Sequence, residues 1–394
     1  MTLYVNPLLR AIQASIATLF VTTPVLAEPL ASPSIASTLP SNPNPYALDA
    51  GPLGKVHVSG QLTGLGIWQN HVVDAPGNGN ETSRADLSNA QVELQTTEGP
   101  LQFYLQAGAY ALPSLGSAYM KSSKAADELY GNLPVAYLKA PLGERFSIMA
   151  GALPTLIGAE STFTFQNINI QRGLLWNQEP AISRGLQLNY AHEQVSASVS
   201  VNDGFYSGKY NWVSGSLAYV LDAENTLTVI GAGNFSSNDK STVATPTAQN
   251  NSQVYNLIYT HSDGDFSLSP YLQYTRIERQ RDIGIDAAAE SYGAAVLGKY
   301  SFDEHWALGL RAEYIDSQGG TCTQDDCAPT NLLYGPGSGA WSLTATPTYR
   351  SGAFFARGEL AYVKTLGGDD GAAFGGRGEQ QDQVRALVET GVMF

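Results

Sequence analysis

Period-two alternation, repeated in blocks of about ten residues from Val56 to the last residue, constrains this chain more than any other feature. The closing stretch "VRALVETGVMF" shows it plainly: Val384, Ala386, Val388, Thr390 and Val392 lie on one phase. Gln383, Arg385, Leu387, Glu389, Gly391 and Met393 lie on the other. Such a strand has two faces in two different environments. A soluble sandwich turns its apolar face inward, whereas a membrane barrel turns it to lipid and keeps a polar, wet interior. One strand does not decide between them.

Composition and connections do. Charged residues make up only 14% of 394, against ~25% in ordinary soluble proteins, yet no stretch of the body supplies the ~18 apolar residues of a membrane helix. Sixteen alternating segments are expected, within a range of 14–18: 56–68, 86–97, 100–111, 132–140, 145–153, 184–191, 195–203, 211–221, 226–235, 253–261, 265–277, 290–301, 304–316, 340–350, 353–364 and 383–394. Tight connections such as "LGE", "HEQ", "SDGD", "FDEH" and "RSG" alternate with long linkers such as "TCTQDDCAPTNLLYGPGSG". Aromatics gather at strand ends: Tyr300 and Trp306 flank "FDEH", and Tyr314 and Trp341 sit beside a long linker. Tyr190, Tyr274, Tyr349 and Tyr362 also lie at strand ends. Aromatic girdles and alternating connection lengths belong to a barrel in a bilayer. The expectation is an all-β, single transmembrane antiparallel up-and-down β-barrel with short periplasmic turns and long outer loops.

Three regions follow. Residues 1–27 read as a signal peptide, with Arg10 before an apolar run and Val25 and Ala27 at the cleavage site. Residues 28–54, rich in Pro, Ser and Asn, read as a flexible lead-in, and 55–394 as the barrel. In the oxidising compartment that export implies, Cys322 and Cys327 are spaced to close a short loop disulfide. The alternative, a metal held with Asp325 and Asp326, lacks a nearby His. A formal charge of −14 argues against nucleic acid as a partner.

The stretch "AGALPTLIGAESTFTFQNINIQRGLLWNQEPAISRGLQLNY", then "VNDGF", with "HVSGQLTGLG" near the start and "RAEY" and "RGEL" near the end, resembles Gram-negative outer-membrane porins. More narrowly, it is similar to the putative beta-barrel porin-2 (OmpL-like) family. The resemblance implies an outer-membrane, multi-pass protein that passes small hydrophilic solutes or ions passively, with no cofactor. Terminal Phe394 matches the signature by which the barrel-assembly machinery recognises such chains. Homotrimers are common among barrels of this size, although no oligomer face is visible. The cysteine-bearing loop and the long lead-in depart from the family pattern.

Strand phase assigns candidate pore-lining charges: Arg311 and Glu313, Arg350, Arg357 and Glu359, Arg385 and Glu389. An Arg at mid-depth on the lipid face costs ~2–4 kcal/mol, which favours the inward phase. These charges set a transverse field, or they pair and stiffen the wall. The longest connection, 154–183, carries Phe163, Phe165, Ile168, Ile170, Leu174, Leu175 and Trp176. It is too apolar to extend into water, so it is expected to fold into the barrel as a constriction loop. Glu160, Asn167, Arg172 and Glu179 would then sit at the narrowing.

Two other functions are compatible with such a barrel. One is a plugged barrel serving as an adhesin or structural protein. The other is an outer-membrane hydrolase, for which His57 with Ser59, or His71 with Asp74, are the candidate pairs. No fuller catalytic constellation is present, so no enzyme is expected. "GGDDGAAFGGRGE" leads into a strand and lacks the Lys-Ser/Thr of a phosphate loop.

Overall fold

The computed structural model describes residues 45–73, 81–243, 245–322, 327–368 and 371–394. The expected signal peptide, most of the lead-in, and Asp74, Asp325 and Asp326 lie outside the described residues. A short strand β1 (Tyr46–Asp49) precedes sixteen long ones. These are β2 (Lys55–Gln69), β3 (Ser83–Gln95), β4 (Gln102–Tyr110), β5 (Val135–Leu142), β6 (Phe146–Pro154), β7 (Ile182–His192), β8 (Val195–Asn202) and β9 (Trp212–Val220). They continue as β10 (Asn225–Asn234), β11 (Ser252–Asp263), β12 (Phe266–Ile277), β13 (Ala289–Ser301), β14 (Trp306–Gly319), β15 (Gly339–Ser351), β16 (Phe354–Leu366) and β17 (Asp382–Met393). Each coincides with one of the sixteen segments read from alternation.

Every strand from β2 to β17 pairs antiparallel with its sequence neighbours, and β17 pairs back onto β2 (Arg385↔Gln69 to Met393↔Gln61). The sheet is therefore a closed sixteen-stranded up-and-down barrel, and closure removes the open edges that a flat sheet would expose. Within the expected lead-in, Tyr46–Asp49 pair with Lys55–Val58, where β2 extends past the end of β17.

The two phases separate as lipid and lumen require. Leu62, Leu186, Leu310, Leu360 and Val388 point outward and are about half exposed, Leu360 at 60%. Their inward neighbours Thr63, Gln187, Arg311, Glu359 and Glu389 are buried. An apolar exterior around a polar interior inverts a soluble fold and is stable only with hydrocarbon outside. At the tight-turn rim, Trp306 stacks near Tyr349 and Phe146 near Tyr190, each pair 5.0 Å between centroids. At the opposite rim Trp341 meets Tyr362 at 5.2 Å, and Tyr274 meets Tyr292 at 5.0 Å. These are the two girdles. Cys322 and Cys327 are disulfide-bonded in the β14–β15 connection, with Cα atoms 5.6 Å apart.

Candidate functional site

The chain leaves β6 at Pro154 and returns at Ile182, and its ends are tied where Thr155 N donates to Ala181 O at 3.1 Å. Between these points it enters the barrel. Ile157, Ile168, Leu174 and Leu175 pack in one cluster with wall residues Ile230, Val254, Ile258, Leu297 and Ile315. Phe163 and Phe165 join Tyr110, Val135, Ile182 and Phe355 in a second. The hydrophobic effect thus draws this segment into the lumen, since its apolar side chains have no other apolar surface to cover them.

The charges of β14–β17 meet it there. Arg311 Nη1 donates to Glu160 Oε1 at 2.6 Å and to the Gln171 carbonyl at 2.8 Å, while its Nε reaches Glu313 Oε2 at 3.1 Å. Glu160 also accepts Gly173 N at 2.8 Å, and Glu313 accepts Leu175 N at 3.3 Å and Ser342 Oγ at 2.7 Å. Glycine at 173 leaves room for this carboxylate, since a Cβ there would stand 2.1 Å from Glu313 Oε1 and displace it. Arg357 pairs with Glu389 and donates to the carbonyls of Asn167 and Thr164, both at 3.0 Å. Glu389 Oε1 accepts Thr164 Oγ1 at 2.6 Å. Glu359 accepts the backbone N–H groups of Ile170 and Gln171 and the Thr346 hydroxyl. Arg385 donates to the carbonyls of Ser114 and Ser117 and to Gln69 and Gln171.

Six of the seven wall charges chosen by phase therefore lie together beneath the inserted segment: Arg311, Glu313, Arg357 and Glu359 bind its backbone, and Arg385 and Glu389 reach its Gln171 and Thr164 side chains. Buried ions are tolerable when they are ion-paired or fully hydrogen-bonded: Arg311 pairs with Glu160 and Glu313 and Arg357 with Glu389, whereas Glu359 and Arg385 are held by hydrogen bonds to backbone and neutral polar groups. Arg350 stands apart: it sits half-buried at the tight-turn end of β15, where its N–H donates to the His305 carbonyl at 2.8 Å.

Within the segment the four named residues differ. Glu160 is paired as above. Asn167 braces the turn by accepting Ser161 N at 2.7 Å and donating to the Ser161 and Phe163 carbonyls. Arg172 is fully buried, and its three guanidinium nitrogens have no hydrogen-bond partner. Its charge faces the Trp176 ring, 4.8 Å to the centroid, a cation–π contact. Burial lowers its pKa to about 10. Glu179 is buried with both carboxylate oxygens unpaired. Burial first, then the charges of Glu160 and Glu313, push its carboxyl well above the ordinary range.

A second inserted segment was not expected from the sequence. Between β4 and β5 the chain runs inward, where Leu115 N donates to the Arg172 carbonyl at 2.9 Å and Arg172 N to Pro113 O at 3.1 Å. Leu115 and Tyr119 are buried. The signal in "ALPSLGSAYM" was its apolar content between polar flanks. Tyr334, from the β14–β15 connection, closes over both, and its hydroxyl donates to Gly116 O at 3.3 Å.

The catalytic candidates form no triad. His71 pairs with Asp382 (Nδ1 to Oδ1 3.1 Å), while Asp74 lies outside the described residues. His57 is buried with Nδ1 unpaired. Among the described residues no group of three or more His, Cys, Asp or Glu could hold a metal.

Comparison with known proteins adds the family context. The family model described as "Putative beta-barrel porin-2, OmpL-like" matches residues 55–394. The anion-selective porin from Comamonas acidovorans superposes with a TM-score of 0.57 at 16% identity, covering 86% of this chain and 99% of that one. OmpT of Vibrio cholerae, expressed in the outer membrane, gives 0.54 at 11% identity (89% and 100% covered). Salmonella typhi OmpF, in complex with daunomycin, gives 0.53 at 12% identity (89% and 100%). At these identities the likeness is one of fold. No curated protein sequence matches the chain.

Proposed function

The chain belongs to the OmpL-like beta-barrel porin-2 family of outer-membrane β-barrels, and we propose that it passes small hydrophilic solutes by passive diffusion through a lumen narrowed by residues 155–181. The observation that carries this reading is the seating of that segment on the charged arc of β14–β17. Three arginines and three glutamates hold this segment inside the wall, Arg385 through the Gln171 side chain. The pore then takes its size from the segment. Its field comes from whatever charge the latch leaves unpaired, because the paired arginines and carboxylates cancel at short range.

A second reading is a barrel held shut, with an adhesive or structural role. The apolar packing of Ile168, Leu174 and Leu175 against Ile258, Leu297 and Ile315 favours it, since such a core excludes water wherever it extends. Planar-bilayer recording of refolded protein separates the two. Stepwise openings with a defined reversal potential in a salt gradient support diffusion. A correctly folded barrel that carries no current would reject it and leave the shut barrel.

A further inference from the structure

Past the seam between β17 and β2, the inner wall changes character. The Tyr104 and Tyr137 rings, directly opposed across β4 and β5, stack at 5.4 Å with planes 16° apart. Both are half-buried. On the far side of Tyr137 the next strand offers Gly151, at φ +142°, where a Cβ would lie 2.2 Å from the Ala136 carbonyl and 3.0 Å from Tyr137 Cβ. The ring therefore has no side-chain neighbour at that register position, while elsewhere both tyrosines border the cluster that holds Tyr110, Val135, Phe163 and Phe165.

Around the stack lie amides in a cross-strand lattice. Gln61 Nε2 donates to Glu93 Oε1 at 2.6 Å, Gln106 Nε2 to Gln91 Oε1 at 3.1 Å, and the Tyr104 hydroxyl to Gln106 Oε1 at 3.3 Å. Two ends of this lattice are open, the Gln61 carbonyl as acceptor and the Gln91 amide as donor, and both residues are more than nine-tenths buried. The charges of this patch, Glu93 and Lys139, cancel formally.

A stacked pair of flat apolar faces, bordered by one vacant donor and one vacant acceptor with no net charge, suits a solute with the same duality. A sugar ring presents a C–H face to an aromatic, and each hydroxyl both donates and accepts. With one carboxylate and one ammonium, Glu93 and Lys139, the patch favours neither sign of ion. We infer that Tyr104 and Tyr137, with Gln61 and Gln91, form a binding platform for an uncharged polyhydroxylated solute of the saccharide class within the lumen. This inference rests on the passive-diffusion reading and names its solute class.

The test compares proteoliposome flux of maltotriose with that of a polyethylene glycol of equal hydrodynamic radius, alongside KCl conductance. Maltotriose is expected to exceed the glycol by about three- to tenfold, the factor one aromatic contact supplies. The Tyr104→Ala/Tyr137→Ala protein should lose that excess and keep its KCl conductance and glycol flux. Tyr104→Leu/Tyr137→Leu, which keeps more volume, gives the same reading if the alanine protein folds poorly. Equal flux of the two probes through wild-type protein, or an excess that survives both double substitutions, would overturn the inference and leave the channel intact. Folded barrels that pass neither KCl nor either probe would overturn the diffusion reading, and the inference with it.

Discussion

Arg311 and Glu160 are 151 positions apart, yet Arg311 Nη1 lies 2.6 Å from Glu160 Oε1, both side chains fully shielded from water. One belongs to the wall and the other to the inserted segment, so this bond joins the two parts whose separation would set the lumen in the proposed channel. Removing one partner of a buried pair costs ~3–5 kcal/mol, because the other is left charged and unpaired. In Arg311→Met protein, Glu160 and Glu313 both lose their counter-ion. The segment is expected to unseat, giving larger single-channel conductance while the barrel still resists detergent denaturation. Conductance equal to wild type would show that the segment does not gate the lumen.

Arg357 holds the middle of the segment differently. Its guanidinium fork reaches two carbonyls, Thr164 and Asn167, as well as Glu389. Lysine keeps the charge but cannot form that planar set of bonds. Arg357→Lys is expected to loosen the turn at 163–167 without freeing the whole segment. Limited proteolysis of detergent-solubilised protein should cut within 155–181 several times faster than in wild type, and the barrel strands should remain uncut. An unchanged cleavage rate would mean the charge alone suffices.

Phase was legible because lipid imposes it: no strand can place Arg311, Arg357 or Arg385 toward hydrocarbon, so alternation located them inward without any structure. Their use was not legible. Whether an inward arginine faces water or a carbonyl depends on a segment that arrives from 140 or more positions away in sequence, and nothing local to "RAEY" or "RGEL" records that arrival. The inward path of 155–181 showed in its apolar residues. The path of 111–121 was missed although Ala111, Leu115 and Tyr119 are buried, and its hold on Arg385 runs through Ser114 O and Ser117 O, backbone groups that every sequence possesses. Arg350 shares the inward phase yet sits at the rim, since phase gives the face of a strand and says little about depth.

Glu179 makes the seating dependent on pH. Its carboxyl is raised by burial, then by Glu160 and Glu313, whereas in an unseated segment it would titrate in the ordinary carboxylate range. Tyr271 is the other ionisable group that faces it. Between 4.5 and the raised value the seated state holds a proton that the unseated state has released. Seating therefore weakens as pH rises through that window, and no difference remains below it. Conductance should increase from acid toward neutral and alkaline pH. The Glu179→Gln protein, permanently neutral there, should show a flatter profile and stay near the acid value. A wild-type profile without slope, or a glutamine protein with the same slope, would remove Glu179 from this role.

The carboxy-terminus presents the last case. Phe394 pairs through its backbone with Gly60, N to O at 3.0 Å and O to N at 2.8 Å, and lays its ring over that glycine on the outer face. A Cβ at position 60 would stand 2.6 Å from Phe394 Cζ, so any side chain there must displace the ring. Gly66, on the same face of β2, has nothing within 4 Å of a built Cβ and tolerates a side chain. If the ring in this position is what the assembly machinery and the closing seam require, Gly60→Val and Phe394→Ala should both lower the folded fraction several-fold. Gly66→Val should not. Heat-modifiable mobility on gels of outer-membrane fractions gives the folded fraction directly. Full assembly of the Gly60→Val protein would show that the seam closes without the ring, leaving the pairing of β17 with β2 to hold it alone.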